Sequence, residues 1–122
     1  VIGEGGATGF IGRVRGIPSS KPNLAVMYAL AAQYMGMRFV YLEGGSGVTS
    51  HVSSNTVAKV RRAFDGILVA GGGVRTEDSA TELAEAGADI LVFGTLVETS
   101  GFPRKLKRIV DAVRRVRAKA ST

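Results

Sequence analysis

The sequence predicts an α/β fold of four βα units with parallel strands, the C-terminal half of a TIM (β/α)8 barrel. Three runs point there: Phe39-Val40-Tyr41-Leu42-Glu43, Ile67-Leu68-Val69-Ala70 and Ile90-Leu91-Val92-Phe93. They are short and nearly continuously apolar, as parallel strands covered on both faces are. Each runs at its C-terminal end into glycine, where α/β proteins build their sites: Gly44-Gly45-Ser46-Gly47, Gly71-Gly72-Gly73 and Gly94-Thr95. Helical patterns separate the runs, and right-handed crossovers bring consecutive parallel strands together. Four such units make half of a barrel that takes about 250 residues. An open doubly wound sheet is the rival, and periodicity alone separates the two only weakly.

Val1 and Ile2 read as the end of a first strand. Val1 to Gly16 is otherwise rich in glycine and reads as a long irregular connection, with Phe10-Ile11-Gly12 a short extended piece. Pro22 suits the first turn of a helix that runs to about Tyr34 or Met35 and stops at Gly36. That helix, residues 22–35, is apolar almost all round, so it predicts contact on two sides. A homo-oligomer interface and a cover from its own chain stand as equal readings. Arg38 opens the next strand. After its glycine loop comes a polar turn from Thr49 to Asn55, then a helix with Val57, Val60 and Phe64 on its inner face, broken by Asp65-Gly66. Thr76 reads as an N-cap, with Glu77 and Asp78 in the first turn, where negative charge is favoured. Leu83, Ala84 and Ala86 supply that helix's inner face and Gly87 ends it. Phe102-Pro103 precede a last helix with Leu106, Ile109, Val110, Val113 and Val116 in one stripe.

A length of 122 residues makes a single domain, 1–122, with a modest core. The absence of cysteine excludes disulfides and thiolate metal sites. With no membrane-length apolar run and no signal-peptide pattern, a cytoplasmic protein is the expectation. The first residue is Val1 on a strand end, which points to a piece of a longer protein. The net charge of +6 is concentrated: from Arg104 onward there are eight basic residues against Asp111 alone, leaving eight basic against nine acidic before it. Those basic residues stand opposite the apolar stripe, as a solvated face does. A weak attraction to anionic lipid headgroups is compatible with them. Without an aromatic-rich basic motif, a nucleic-acid partner is not expected.

The loops suggest chemistry. If the strands are the fifth to eighth of a barrel, Gly72-Gly73 and Gly94-Thr95 fall where such barrels commonly hold phosphate. Glycine lets backbone N–H groups approach an anion closely, and the Thr95 hydroxyl adds a donor. Glu43, two residues after Tyr41 at a strand mouth, is the candidate to accept a proton from a substrate hydroxyl. A structural carboxylate paired with Arg38 or Arg75 is the alternative. His51, the only histidine, reads as a surface loop residue.

Tyr41-Leu42-Glu43-Gly44-Gly45-Ser46-Gly47, Gly71-Gly72-Gly73-Val74-Arg75, and Ala86-Gly87-Ala88-Asp89 with Gly94-Thr95 resemble the archaeal type of the geranylgeranylglyceryl phosphate synthase family. Ile17-Pro18 with Lys21-Pro22, and the run Tyr28 to Met37, are similar to it as well. The resemblance covers essentially the whole chain but only the C-terminal half of that family's barrel.

The resemblance implies a prenyltransferase joining geranylgeranyl from geranylgeranyl diphosphate to the C3 hydroxyl of sn-glycerol 1-phosphate, in archaeal ether-lipid synthesis. It implies Mg2+ on the diphosphate. Tyr41 to Gly47, Gly72, Gly73, Gly94 and Thr95 would hold glycerol phosphate, and Glu43 with Tyr41 would be catalytic. Gly44 stands where alanine is common, and Phe93 where a small polar residue is usual. The family's metal-binding carboxylates lie in the N-terminal half, so no metal ligand is expected in this chain. The chain alone is expected to have little activity, and its open sheet edges to require a second half-barrel or self-association. A non-catalytic phosphate-binding half-barrel or flavodoxin-like module is the alternative function.

Overall fold

The computed structural model describes residues 1–120, apart from the side chains of residues 117, 119 and 120, so Arg117 and Lys119 of the basic tail lie outside the described side chains. The apolar runs form β1 (Phe39–Glu43), β3 (Ile67–Gly71) and β4 (Ile90–Val92), parallel and in the order β1-β3-β4. A two-residue piece, β2 (Gly45–Ser46), follows β1 in the loop. Helices α2 (Pro22–Tyr34), α3 (Ser54–Ala63), α4 (Glu77–Glu85) and α5 (Phe102–Ala120) alternate with the strands. Another helix, α1 (Gly6–Gly12), precedes them.

Alternation along the strands divides the sheet into two unlike faces. Leu42, Leu68 and Ala70 are buried, and they join Ala25 and Ala29 of α2, Val57, Val60 and Phe64 beside them, Leu83 of α4 and Ile109 of α5 in one core. The other face carries Phe39 and Tyr41, 55% and 43% exposed, with Ile90 and Val92 also exposed. Register aligns Tyr41 with Val69 and Val69 with Ile90, so this open face is a continuous apolar surface. A doubly wound sheet would cover both faces. Helices on one face only, with strand order following chain order, are the half-barrel arrangement, its inner wall unroofed.

The local signals explain most boundaries. Pro22 opens α2, and Gly36 follows its end at φ +80. Ser53 caps α3, accepting from the Thr56 N–H, earlier than the polar turn suggested. Thr76 and Ser79 form a capping box on α4. On α5, which starts at Phe102, Lys107 pairs with Asp111 and Arg108 with Glu77.

The start of the chain differs from expectation in two ways. The first strand is reduced to Ile2, whose N–H donates to the Glu43 carbonyl at 2.8 Å, because Gly3 at φ +71 turns the chain at once. Among the described residues the sheet therefore has three strands, not four. Phe10-Ile11-Gly12 is helical in α1, not extended.

The foot of the sheet is held by Asp89. Its Oδ2 accepts from the Leu68 N–H at 2.8 Å and from Arg61 Nη1 at 3.0 Å, and Arg61 also donates to the Phe64 carbonyl. Asp89 thus ties β3, β4 and the end of α3 together, at the end opposite the glycine loops. Asp89→Ala is expected to cost about 2 kcal/mol, since hydrogen bonds to a charged group are lost. Denaturant unfolding reads this as a lower midpoint at constant slope; an unchanged midpoint would show that the clamp contributes nothing.

Candidate anion-binding site

Glu43 closes β1 with its side chain on the open face, in register with Gly71 and, across that, Val92. Its Oε1 accepts from the Gly45 N–H at 2.6 Å, which fixes both the carboxylate and the first turn of the glycine loop. No ion pair joins it to Arg38 or Arg75 among the described residues. Arg75 instead donates from Nη2 to the Val48 carbonyl at 2.9 Å, tying the second loop to the first.

The loops fit together because they lack side chains. Gly72 has φ +82, and a Cβ there would stand 2.5 Å from Gly45 N and 2.8 Å from Glu43 Oε1. Gly73 has φ +71, and a Cβ there would stand 2.6 Å from Ser50 O. Both are positions for glycine alone. Gly94 is different: its φ is −104 and nothing lies within 4 Å of where a Cβ would be. Its neighbour Thr95 opens a 3-10 turn, Thr95–Glu98, which the sequence reading did not place.

These loops enclose a cleft of about 140 Å3. Of the residues expected at a site, Tyr41, Glu43, Ser46, Gly72, Gly73, Gly94 and Thr95 line it. Leu42, Gly44, Gly45 and Gly47 do not. Leu42 points through the sheet into the core, 4% exposed, as alternation requires. Gly44 donates to the Gly71 carbonyl and packs on Val52, Gly45 supports Glu43, and Gly47 turns the chain at φ +78. Thr8, Val74, Arg75 and Val92 also line the cleft and were missed. Thr8 was hidden by the reading of residues 1–16 as a connection, while alternation from Ile90 was a signal for Val92. His51 is partly buried in its loop: its side chain is 20% exposed, Nδ1 lies 2.7 Å from the Val52 carbonyl and Nε2 3.7 Å from Glu82. Among the described residues no group of three or more His, Asp or Glu side chains could hold a metal.

Tyr41 and Glu43 act as a pair. The Tyr41 phenol is pushed well above its ordinary value, first by partial burial, then by its hydrogen bond to Glu43 and the nearby negative charge. An unfolded phenol ionises near pH 10. The protonated phenol's contribution to stability is therefore whole below about pH 10 and declines as pH rises further, where the unfolded chain releases a proton the folded chain retains. Alkaline absorbance titration should show a late tyrosinate fraction that disappears in Tyr41→Phe. A Tyr41 fraction titrating at the ordinary position would mean that the Glu43 contact is not made.

Residues 1–113 match the PcrB family. Over 113 residues the chain is 52% identical to a geranylgeranylglyceryl phosphate synthase of Cenarchaeum symbiosum, covering 93% of this chain and 46% of that protein. It is 50% identical to the synthase of Nitrosopumilus maritimus, covering 94% and 46%. Among solved structures, it resembles (S)-3-O-geranylgeranylglyceryl phosphate synthase from Thermoplasma acidophilum in complex with substrate sn-glycerol-1-phosphate. The TM-score is 0.83 at 42% identity, over 87% of this chain and 43% of the other. Thiamine phosphate pyrophosphorylase from Pyrococcus furiosus, at 21% identity and TM-score 0.59, shares the fold. The chain spans about half the length of the curated relatives it matches. The likeness carried by the loop motifs is borne out, and the chain belongs to the PcrB family.

Proposed function

We propose that this chain carries the glycerol phosphate site of a prenyltransferase that moves a geranylgeranyl group from geranylgeranyl diphosphate to the C3 hydroxyl of sn-glycerol 1-phosphate, in archaeal ether-lipid synthesis. One observation carries the reading: a single cleft joins the Glu43–Tyr41 pair to two glycine-bearing loops, Gly72-Gly73 and Gly94-Thr95. Family membership and the names of the relatives support it.

In this reading phosphate lies between Gly72-Gly73 and Gly94-Thr95, held by backbone N–H groups and the Thr95 hydroxyl. Ser46 and Tyr41 flank the glycerol. Glu43 accepts the proton of the C3 hydroxyl as that oxygen bonds to the first prenyl carbon and the carbon–diphosphate bond breaks, releasing diphosphate. Tyr41, still protonated, keeps the carboxylate oriented. The remaining expected loop residues, Leu42, Gly44, Gly45 and Gly47, act as the frame that sets this geometry. Mg2+ on the diphosphate does not fit this half of the barrel, where no group of described carboxylates or histidines could hold it; its ligands are proposed to come from the N-terminal half.

The unroofed inner wall, with an apolar groove of about 370 Å3 along the open edge of β1, calls for a second half-barrel to complete the donor site. On α2, Met27 and Tyr28 are more than half exposed, which suits a homo-oligomer contact. The exposed basic residues of α5 suit a weak contact with anionic lipid headgroups, and no nucleic-acid role is proposed. No described helix is long and apolar enough to cross a membrane; a cytoplasmic location is part of the proposal. The test is transfer of labelled geranylgeranyl by the protein that carries this sequence. Product with sn-glycerol 1-phosphate, and little or none from residues 1–122 alone, is expected. If the complete protein binds glycerol phosphate but transfers no prenyl group, the non-catalytic phosphate-binding reading replaces this one.

A further inference from the structure

The cleft has a wall contributed by α1, the helix that the glycine-rich start of the chain concealed. Thr8 on that helix lines the cleft together with Glu43 and Ser46. Close backbone contact helps set its position. Gly5 pairs with Gly45, and Gly6 with Ser46, in parallel bridges. A Cβ on Gly45 would stand 2.6 Å from Gly6 N, and one on Gly6 would run into the Ser46 carbonyl. The start of α1 and the first glycine loop therefore approach more closely than side chains permit, and they place Thr8 two residues beyond the second bridge. Thr8 is exposed, and among the described residues its hydroxyl has no protein partner.

Strand order says which part of a ligand this hydroxyl meets. The order β1-β3-β4 puts Gly94-Thr95 at one edge, Gly72-Gly73 in the middle, and Ser46 with the attached α1 at the other edge. With phosphate between the middle and far loops, the rest of the ligand extends towards Glu43, Ser46 and Thr8. A hydroxyl that both donates and accepts suits a polyol better than it suits an anion.

We infer that Thr8 is a specificity residue, its hydroxyl bonding the glycerol moiety and not the phosphate of bound sn-glycerol 1-phosphate. This rests on the glycerol phosphate reading of the cleft. Equilibrium binding of sn-glycerol 1-phosphate and of inorganic phosphate, measured on the protein that carries this sequence, separates the two. Thr8→Val keeps the side-chain shape and removes the hydroxyl. It should weaken glycerol phosphate binding about five- to tenfold, the effect of one hydrogen bond, and leave phosphate binding unchanged. Thr8→Ser should retain most of the affinity. Thr8→Ala, which places a strong helix former in α1, carries the same expectation as Thr8→Val should valine disturb the helix. Undiminished glycerol phosphate binding in the variants without the hydroxyl, or an equal loss for both ligands, would overturn the inference. A wild-type protein that binds neither ligand would overturn the site reading itself.

Discussion

Glu43→Gln is expected to lower the rate of prenyl transfer about a hundredfold or more while leaving the fold in place. Glutamine keeps an oxygen that can accept from the Gly45 N–H, the 2.6 Å bond that anchors the loop. It keeps the volume of the side chain as well. What it loses is the ability to take a proton, and that is the role assigned to Glu43. The expected signature is therefore a fall in kcat with a much smaller change in glycerol phosphate affinity, an interaction made chiefly in the transition state. Single-turnover kinetics beside direct binding would measure both. Activity within about threefold of wild type would remove Glu43 from the chemistry and leave it a loop anchor.

The second large effect is at Gly73. Gly73→Ala is expected to cost about 2–4 kcal/mol, combining strain at φ +71 with overpacking. The atoms a Cβ would meet are backbone, Ser50 O at 2.6 Å and His51 N at 2.8 Å, so no side chain can rotate away. Phosphate binding should fall with stability. Gly94→Ala is the informative companion, because nothing lies within 4 Å of its Cβ position and its φ is negative. It should leave stability within about 1 kcal/mol, as unstrained surface changes usually do. It should nevertheless weaken phosphate binding about tenfold or more, since the methyl group occupies the face that the proposal gives to the anion. Thermal unfolding with and without phosphate would read both variants. Gly94→Ala with full phosphate affinity would place the anion elsewhere in the cleft.

Most of the fold was legible because its signals are local. Thr76 with acidic residues behind it, Pro22 and Gly36 around an apolar run, and the three glycine-ended strands each state an element within a few residues. The spacing of Tyr41 and Glu43 also placed both side chains on one face. The same alternation contradicted the inclusion of Leu42, which lies between them and points into the core. What could not be read depends on distant contacts. The stretch Gly6–Gly12 has poor intrinsic helix propensity and no side-chain cap. It stands where it does because Gly5 and Gly6 dock on Gly45 and Ser46, some forty residues away in the chain. With α1 unseen, Thr8 was unseen. Charge alone makes Arg75 a candidate partner for Glu43, whereas its geometry serves the Val48 carbonyl.

The most direct test of the account is a crystal structure of the protein that carries this sequence, with sn-glycerol 1-phosphate bound. The phosphate is expected in hydrogen-bond reach of the Gly73 and Gly94-Thr95 backbone, with a glycerol hydroxyl on the Glu43 carboxylate. Phosphate bound outside those loops, or glycerol turned away from Glu43 with the cleft otherwise intact, would contradict it.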